Sequence, residues 1–508
     1  MPGTHSSTLS PNRLLPNRNR SSLIWLLCLA LLLGFAFQGT RGVWNTDEGR
    51  YTENALQMID SGNYLVPAYG NDRLNFTKPP MHYWAIAASV NVFGHNEWAV
   101  RAPNALAFAL TALLLCLTAE QLMLEKIWLP GLIYALTLAP IIAANVVSTD
   151  TLLTLFEALA MFGFVSAEMG PRGPARRGPI YLMWLGFGLA FLTKGPPGLL
   201  PLLAIVPFIV KRDGWRALGR IFAPGGLVVF TVTGFLWYLI VVLRYPGLLH
   251  YFLYFEVYQR ILTSAQHRNP QWYGWLVAYG PVFAFATLPW TLELLRGLAH
   301  AFSIARWRLW WREASTPLFL LLWFAVPLVV FCVSRSRLPV YALPLFMPLS
   351  LMLALQLNTR VDLTRTRQRI LLGVWVVALI ALKGAGSLYM KSRADSRVQA
   401  QQLGAITAGN NYAALTFVDL TDDDVGIEEH TPWGMRLYIS KPFFGIAWSK
   451  PDSGARVCAV LREHASVLYV IDPGIAPDAF RAAVQQCHPR TVTNLGGWRD
   501  QQLELVRR

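Results

Sequence analysis

Apolar residues come in long runs along this chain, and within the runs they do not alternate with polar ones. Segments at 22–38, 100–122, 128–146, 151–168, 180–193, 198–210, 223–243, 275–295, 317–333, 339–356 and 370–388 are each apolar and near membrane length, some of them short. About twenty helical residues cross the hydrocarbon of a bilayer, and only helices or closed barrels leave no backbone group unpaired there. Alternation would mark half-buried strands, whereas continuous runs of this length mark helices. The pattern therefore predicts about eleven spans, with about nine to thirteen as the range, because Pro-rich stretches such as KGPPGLLP break or join neighbours.

Between and after the runs the pattern changes. Residues 46–61 read as a short helix that Thr46 caps and the glycine of SGN ends, and residues 80–92 read as a second one with Pro80 in its first turn. After about residue 389 charge increases. There ALTFV, RLYI and SVLYVI read as strands and 477–487 as a helix. The predicted fold is an all-α polytopic membrane bundle with a small C-terminal α/β domain. Residues 1–21 form an N-terminal segment, 22–388 the membrane domain with an outer loop at 39–99, and 389–508 the small domain.

Charge adds orientation. The chain has 508 residues, of which only 14% are charged, yet its net charge is +15. The basic residues cluster between spans: Arg13, Arg18 and Arg20; Arg172, Arg176 and Arg177; Lys211, Arg212, Arg216 and Arg220; Arg306, Arg308 and Arg312; Arg360, Arg365, Arg367 and Arg369. With eleven spans all fall on one side, which is then the cytoplasm. Short clusters between spans exclude nucleic acid as the partner and make the lipid bilayer the partner instead. No small-x-small site follows the first span in GFAFQGTRG, so it reads as a retained anchor. Five cysteines are too few for a disulfide scaffold. Cys28, Cys116 and Cys332 lie in spans and read as core residues. Cys458 and Cys487 lie in the tail, where an oxidising compartment would allow a pair without requiring one.

The opposite, outer face carries the unusual residues. WNTDEGRYTENALQMIDSG follows closely on twenty residues, Ser21 to Thr40, that hold no charge. It sets Asp47, Glu48 and Arg50 against the lipid surface, with Asp47 and Arg50 on one helix face. Two carboxylates at a helix start favour its dipole, which is the plain explanation of both. The other outer loops add to it. FTKPPMHYW brings Lys78, NVVSTDTLL brings Asp150 and LTKGPPG brings Lys194. AQHRNPQWYG brings His267 and Arg268, and SRSRLPVY brings Arg335, Arg337 and Tyr341. Snorkelling explains such cations singly. Gathered at Pro-bounded loops they suit a phosphate, with a carboxylate beside them as a base.

These stretches resemble the multi-span C-type glycosyltransferases, within them the aminoarabinose transferase family that modifies lipid A, and more widely the protein mannosyltransferase-like group. The matching motifs are DEGRYTENALQMIDSGNYLVP, FTKPPMHYW, VRAPNAL, STDTLLTLF, FLTKGPPGLL, HRNPQWYG and SRSRLPVYALPLF, which run from about 44 to 350 in the family's order. The resemblance implies a bacterial inner-membrane enzyme that moves a sugar from a polyprenyl-phosphate donor on the periplasmic face. It makes 39–99 the catalytic loop and the tail a periplasmic domain. It implies Asp47 as the catalytic carboxylate and Asp150 as the second acid. It implies Arg50, Lys78, Lys194, Arg268 and Tyr341 as ligands of the donor phosphate. Thr77 departs from the branch, which carries an acid before the Lys-Pro that joins a loop histidine at a metal. One histidine does not make a zinc site, so no tightly bound zinc is expected at His267, while a divalent metal elsewhere stays open. A glycolipid such as lipid A and a protein hydroxyl are both open as acceptors. A transporter would show internal repeats and charges at mid-depth; here the unusual charges lie at span ends and no repeat is visible.

Overall fold

The computed structural model describes residues 17–70, 73–171, 177–259, 263, 268–301, 304–389, 392–421 and 424–508. The chain is mostly helical, with a small C-terminal sheet domain. Among the described residues six helices are long and apolar enough to cross a membrane: Glu97–Gln121, Thr149–Glu168, Pro224–Arg244, Thr316–Val333, Pro339–Leu357 and Thr366–Tyr389.

The first helix, α1 (Asn17–Phe35), shows how an all-apolar helix sits in such a bundle. Leu23, Leu26, Ala30 and Leu33 recur every three or four residues and are buried, while Ile24 and Leu32 face outward. Both faces are apolar because one meets protein and the other lipid. Cys28 lies on the outward face rather than in the core, Cys332 is half-buried, and Cys116 is buried as expected.

Two outer helices follow, α2 (Asp47–Ser61) and α3 (Met81–Phe93), with a short hairpin of β1 (Ala68–Tyr69) and β2 (Arg73–Leu74) between them. Gly62 ends α2 with φ 69°, a left-handed turn that glycine takes without strain. Thr46 precedes α2, but its side chain does not cap it. The Glu48 carboxylate instead reaches back to accept the Trp44 N–H at 2.9 Å. Next comes α4 (Glu97–Gln121), whose Asn96 cap accepts the Ala99 N–H at 2.9 Å.

The run 128–146, expected as one span, is two helices, α5 (Leu129–Leu136) and α6 (Leu138–Ala144). Pro140 has no N–H for the Leu136 carbonyl. That carbonyl accepts the Trp375 indole N–H at 2.9 Å, and the Ala139 N–H finds Ala286 O at 2.9 Å. A broken helix survives at membrane depth when neighbours repair its backbone in this way. Then α7 (Thr149–Glu168) and α8 (Arg177–Lys194) pack antiparallel in close contact. A side chain on Gly186 would come within 2.4 Å of the Ala160 nitrogen, and one on Gly163 within 2.5 Å of Met183 N. These two glycines let the backbones approach, and so bring the start of α7 against the end of α8.

The C-terminal domain is a mixed sheet of five strands: β3 (Ala414–Asp419), β4 (Phe443–Ala447), β5 (Ser466–Ile471), β6 (Thr491–Trp498) and β7 (Gln501–Arg507). Their order is β4-β3-β5-β7-β6, with β3 parallel to β4 and β5, and β7 antiparallel to β5 and β6. ALTFV and SVLYVI are the buried strands β3 and β5, and Pro477–Gln485 is the expected helix. RLYI is not a strand. Its first half lies in the 3-10 turn Trp433–Leu437, and Leu437 packs into the apolar cluster of α2 and α3. Cys458 and Cys487 form a disulfide with Cα atoms 5.2 Å apart. The domain sits directly on the outer helices. Arg436 pairs with Asp60, Asn45 Oδ1 accepts the Gly434 N–H at 3.2 Å, and Arg73 donates to Gly445 O at 3.0 Å.

Candidate functional site

Adjacent residues at the head of α2 point opposite ways. Glu48 turns inward and is buried. It pairs with Arg41 at 2.6 Å and Arg101 at 3.1 Å, and accepts the Val147 N–H at 2.9 Å. Burial would push this carboxyl up, but the two guanidiniums outweigh burial and hold it down at about 2. Asp47 turns outward, with 56% of its side chain exposed, and pairs with Arg50 at 2.5 Å. Burial raises its carboxyl too; the charges of Arg50, and then of Arg268 and Lys78, outweigh that and hold it below the ordinary carboxylate range. It is therefore ionised at neutral pH, in the field of three of the predicted cations.

The remaining predicted residues form a chain of contacts around one cavity. Asp150 starts α7, Lys194 ends α8, and the two pair at 2.5 Å with both side chains buried. The Lys194 ammonium lies 4.2 Å from the centre of the Tyr341 ring. Arg268 donates to the Tyr341 hydroxyl at 3.1 Å. Lys78 Nζ lies 3.8 Å from Glu256 and donates to its neighbour Thr77 O at 2.7 Å. Residues from five separate segments thus meet on the outer side of the bundle.

The cavity has a volume of about 480 Å³. Asp150, Lys194, Tyr341, Glu256 and Thr77 line its polar part, and Phe191, Phe235, Leu239, Phe252 and Leu253 its apolar part. Asp47, Arg50, Lys78 and Arg268 are not in the lining; Lys78 reaches it through Glu256 and Arg268 through Tyr341. A polar end that Lys194 lines, with Lys78 and Arg268 behind the lining, joined to an apolar chamber suits an amphiphile with an anionic head.

Several residues of this site were not singled out in the sequence. Arg41 and Arg101 flank Glu48. Glu256 faces Lys78. Glu157, two turns below Asp150 on α7, is buried, lines the cavity and makes no hydrogen bond with other described residues. Its signal was a carboxylate inside the apolar run TLLTLFEALAMF. Arg337, already named from the sequence among the outer cations, is a clamp: it donates to Asn269 O and Gln271 O at 2.7 Å and Cys332 O at 2.9 Å, which holds the Arg268 loop in place. The Thr77 hydroxyl donates to Asn75 Oδ1 at 2.7 Å, and among the described residues no three His, Cys, Asp or Glu side chains gather. The donors at Thr77 thus do not match the set that the resemblance attaches to a zinc ion. His267 lies outside the described residues.

Residues 77–240 match the family model of dolichyl-phosphate-mannose-protein mannosyltransferases. The undecaprenyl phosphate-alpha-4-amino-4-deoxy-L-arabinose arabinosyl transferase 2 of Sodalis glossinidius is 35% identical over 340 residues, which is 65% of this chain and 58% of that protein. The chain thus spans less than two thirds of the length of that relative. The corresponding transferase of Aeromonas salmonicida is 33% identical over 421 residues, 78% of this chain and 72% of the relative. In fold, the crystal structure of ArnT from Cupriavidus metallidurans bound to undecaprenyl phosphate superposes with a TM-score of 0.72 at 19% identity, over 96% of this chain and 98% of that one. An oligosaccharyltransferase of Archaeoglobus fulgidus gives 0.51 at 12% identity, over 91% and 69%. With a third of its residues shared across most of the Aeromonas protein, and the ArnT fold along nearly its whole length, this chain belongs to the undecaprenyl phosphate-aminoarabinose arabinosyl transferase family.

Proposed function

We propose that this chain is a glycosyltransferase that moves a sugar from a polyprenyl-phosphate donor to an envelope lipid such as lipid A, on the periplasmic face of the bacterial inner membrane. The observation that carries this is the joining of a polar end, which Lys194 lines and Lys78 and Arg268 back, to the apolar chamber, with the ionised Asp47 in the field of Lys78 and Arg268. The names of the relatives and the ligand of the Cupriavidus structure support the same donor class.

The residues divide the work by their chemistry. Lys78, Lys194 and Arg268 hold the donor phosphate with the Tyr341 hydroxyl, and Arg50 orients Asp47 or joins them. The prenyl chain lies in the apolar chamber. The acceptor oxygen attacks the anomeric carbon and the bond from that carbon to the phosphate oxygen breaks. Its electron pair leaves with the polyprenyl phosphate, which gains negative charge. Cations already in place stabilise that charge as it develops. When the acceptor is a hydroxyl, its proton passes to Asp47. Asp150 keeps the Lys194 ammonium aimed into the site. Mass spectrometry of lipid A and other envelope glycolipids, from cells with and without the protein, tests this. A sugar-sized mass difference on lipid A is expected; identical glycolipid profiles would rule out the lipid acceptor.

The topology belongs to the same proposal: a cytoplasmic segment 1–21, a membrane domain 22–388 with about eleven spans and catalytic loop 39–99, and a periplasmic domain 389–508. The Cys458–Cys487 disulfide supports an oxidising location for that domain. Alkaline phosphatase fused after Arg508 is expected to be active in cells; an inactive fusion of normal abundance would place the tail in the cytoplasm.

A further inference from the structure

We infer that Glu256 selects the charge state of the lipid phosphate, holding Lys78 while the site is empty and driving out the more negative product after transfer. This deepens the donor reading above and rests on it. Glu256 lies on the outer helix Tyr251–Gln259 and lines the same cavity as Lys194, Asp150 and Tyr341. One of its oxygens is 3.8 Å from Lys78 Nζ, and the other accepts the Tyr251 hydroxyl at 3.3 Å. A carboxylate this close to a phosphate site is unfavourable unless it does something there.

The donor and the product differ in charge. With the sugar attached the phosphate is a diester and carries one negative charge. Once the sugar has left it is a monoester, whose second ionisation falls near pH 6, so that it carries between one and two charges at neutral pH. A fixed carboxylate repels the second form more than the first. At the short range and partial burial of this cavity, each negative charge on the ligand changes affinity roughly threefold, and two charges roughly tenfold. Lys78 serves both states: it pairs with Glu256 in the empty site and with the phosphate in the loaded one. When the product departs, Glu256 takes Lys78 back. Asp47 and Asp150 also lie near the phosphate cations, but their own cations, Arg50 and Lys194, stand at 2.5 Å, whereas Glu256 and Lys78 stand at 3.8 Å.

The test compares two ligands on the purified full-length protein in nanodiscs: undecaprenyl phosphate, the monoester, and its methyl ester, a diester of single charge. Glu256→Gln is expected to lower the Kd for the monoester about tenfold and that for the methyl ester about threefold or less. Glu256→Ala removes the same charge and is expected to give the same ratio, which covers failure of the first variant to fold. Glu256→Asp, which keeps the charge, is expected to match the wild type. In turnover the Gln variant is expected to show a lower KM and a lower kcat together, because product leaves more slowly. Equal shifts for the two ligands, or no shift, would overturn the role of Glu256 while leaving the donor reading intact. A wild-type protein that binds neither ligand would overturn the donor reading, and this inference with it.

Discussion

Asp47→Asn is expected to reduce sugar transfer at least a hundredfold while leaving the protein folded and able to bind donor. The substitution keeps the shape of the side chain and removes its charge and its capacity to accept a proton. General acid–base groups contribute roughly 10²–10⁴ in rate. The fold has little at stake in this residue. More than half of the side chain is exposed, and it pairs with Arg50, one turn along α2. An exposed pair of this kind contributes at most about 1 kcal/mol. Removing an anion from among Arg50, Arg268 and Lys78 leaves the cations free to hold phosphate at least as well as before. The expected signature is therefore lost turnover, unchanged thermal stability, and a donor Kd that is unchanged or lower. Near-normal turnover in a purified transfer assay would show that Asp47 is not the base. A large fall in stability would show that its role is structural.

The membrane bundle was legible because its signal is long and redundant. A continuous apolar run states its own structure whatever it packs against, as α1, α4 and α7 illustrate. The breaks were less legible. The break at Thr137 follows from Pro140, and it is tolerated because Trp375 and Ala286, far along the chain, supply partners for the freed backbone groups. The sheet domain was read at β3 and β5, whose burial on both faces leaves uninterrupted apolar sequence. It was missed at β6, where TVTNLGGW is an edge strand rich in polar residues and glycine and mostly solvent-facing. RLYI misled because Leu437 packs onto α2 and α3 while Ile439 packs against the sheet core without joining a strand, and nothing local distinguishes these uses from a strand.

For the candidate site, the sequence offered the residues one loop at a time. What it could not give was pairing. The Asp150–Lys194 contact depends on two antiparallel helices brought close by Gly163 and Gly186. The Glu256–Lys78 contact joins segments about 180 residues apart, and neither segment carries a pattern that names the other. Glu48 shows the same limit more sharply. Next to Asp47 in sequence, it shared the helix-dipole explanation, and only the fold shows that it serves a different purpose.

Glu48→Gln is expected to destabilise the protein by about 3 kcal/mol at neutral pH, the size usual for breaking a buried ion pair on one side only. Glu48 faces two buried guanidiniums. Arg101 also donates to Gln38 O at 2.8 Å, Arg41 O at 2.9 Å and Gly42 O at 2.7 Å, and Arg41 donates to Asn145 O at 2.8 Å. Gln keeps the volume but leaves two positive charges in the interior with no anion, and its amide hydrogens turn toward donors. The effect has a defined dependence on pH. The Glu48 carboxyl is held at about 2 in the folded protein against an ordinary value of 4.5. Its stabilisation is therefore fully present above about pH 4.5 and is lost as pH falls toward 2. The gap in Tm between wild type and variant should be widest and constant above about pH 5 and should narrow below it. Function should fall as well, because Glu48 also accepts the N–H of Val147, three residues before Asp150, and Trp44, three residues before Asp47. It is a positioning residue that fixes the two acids of the site relative to one another. The Gln variant is thus expected to lose transfer and stability together, where the Asp47 variant loses transfer alone. A Tm equal to wild type at pH 7 would mean that water or local rearrangement neutralises the two arginines, and that the carboxylate does not tie the outer helix to the bundle.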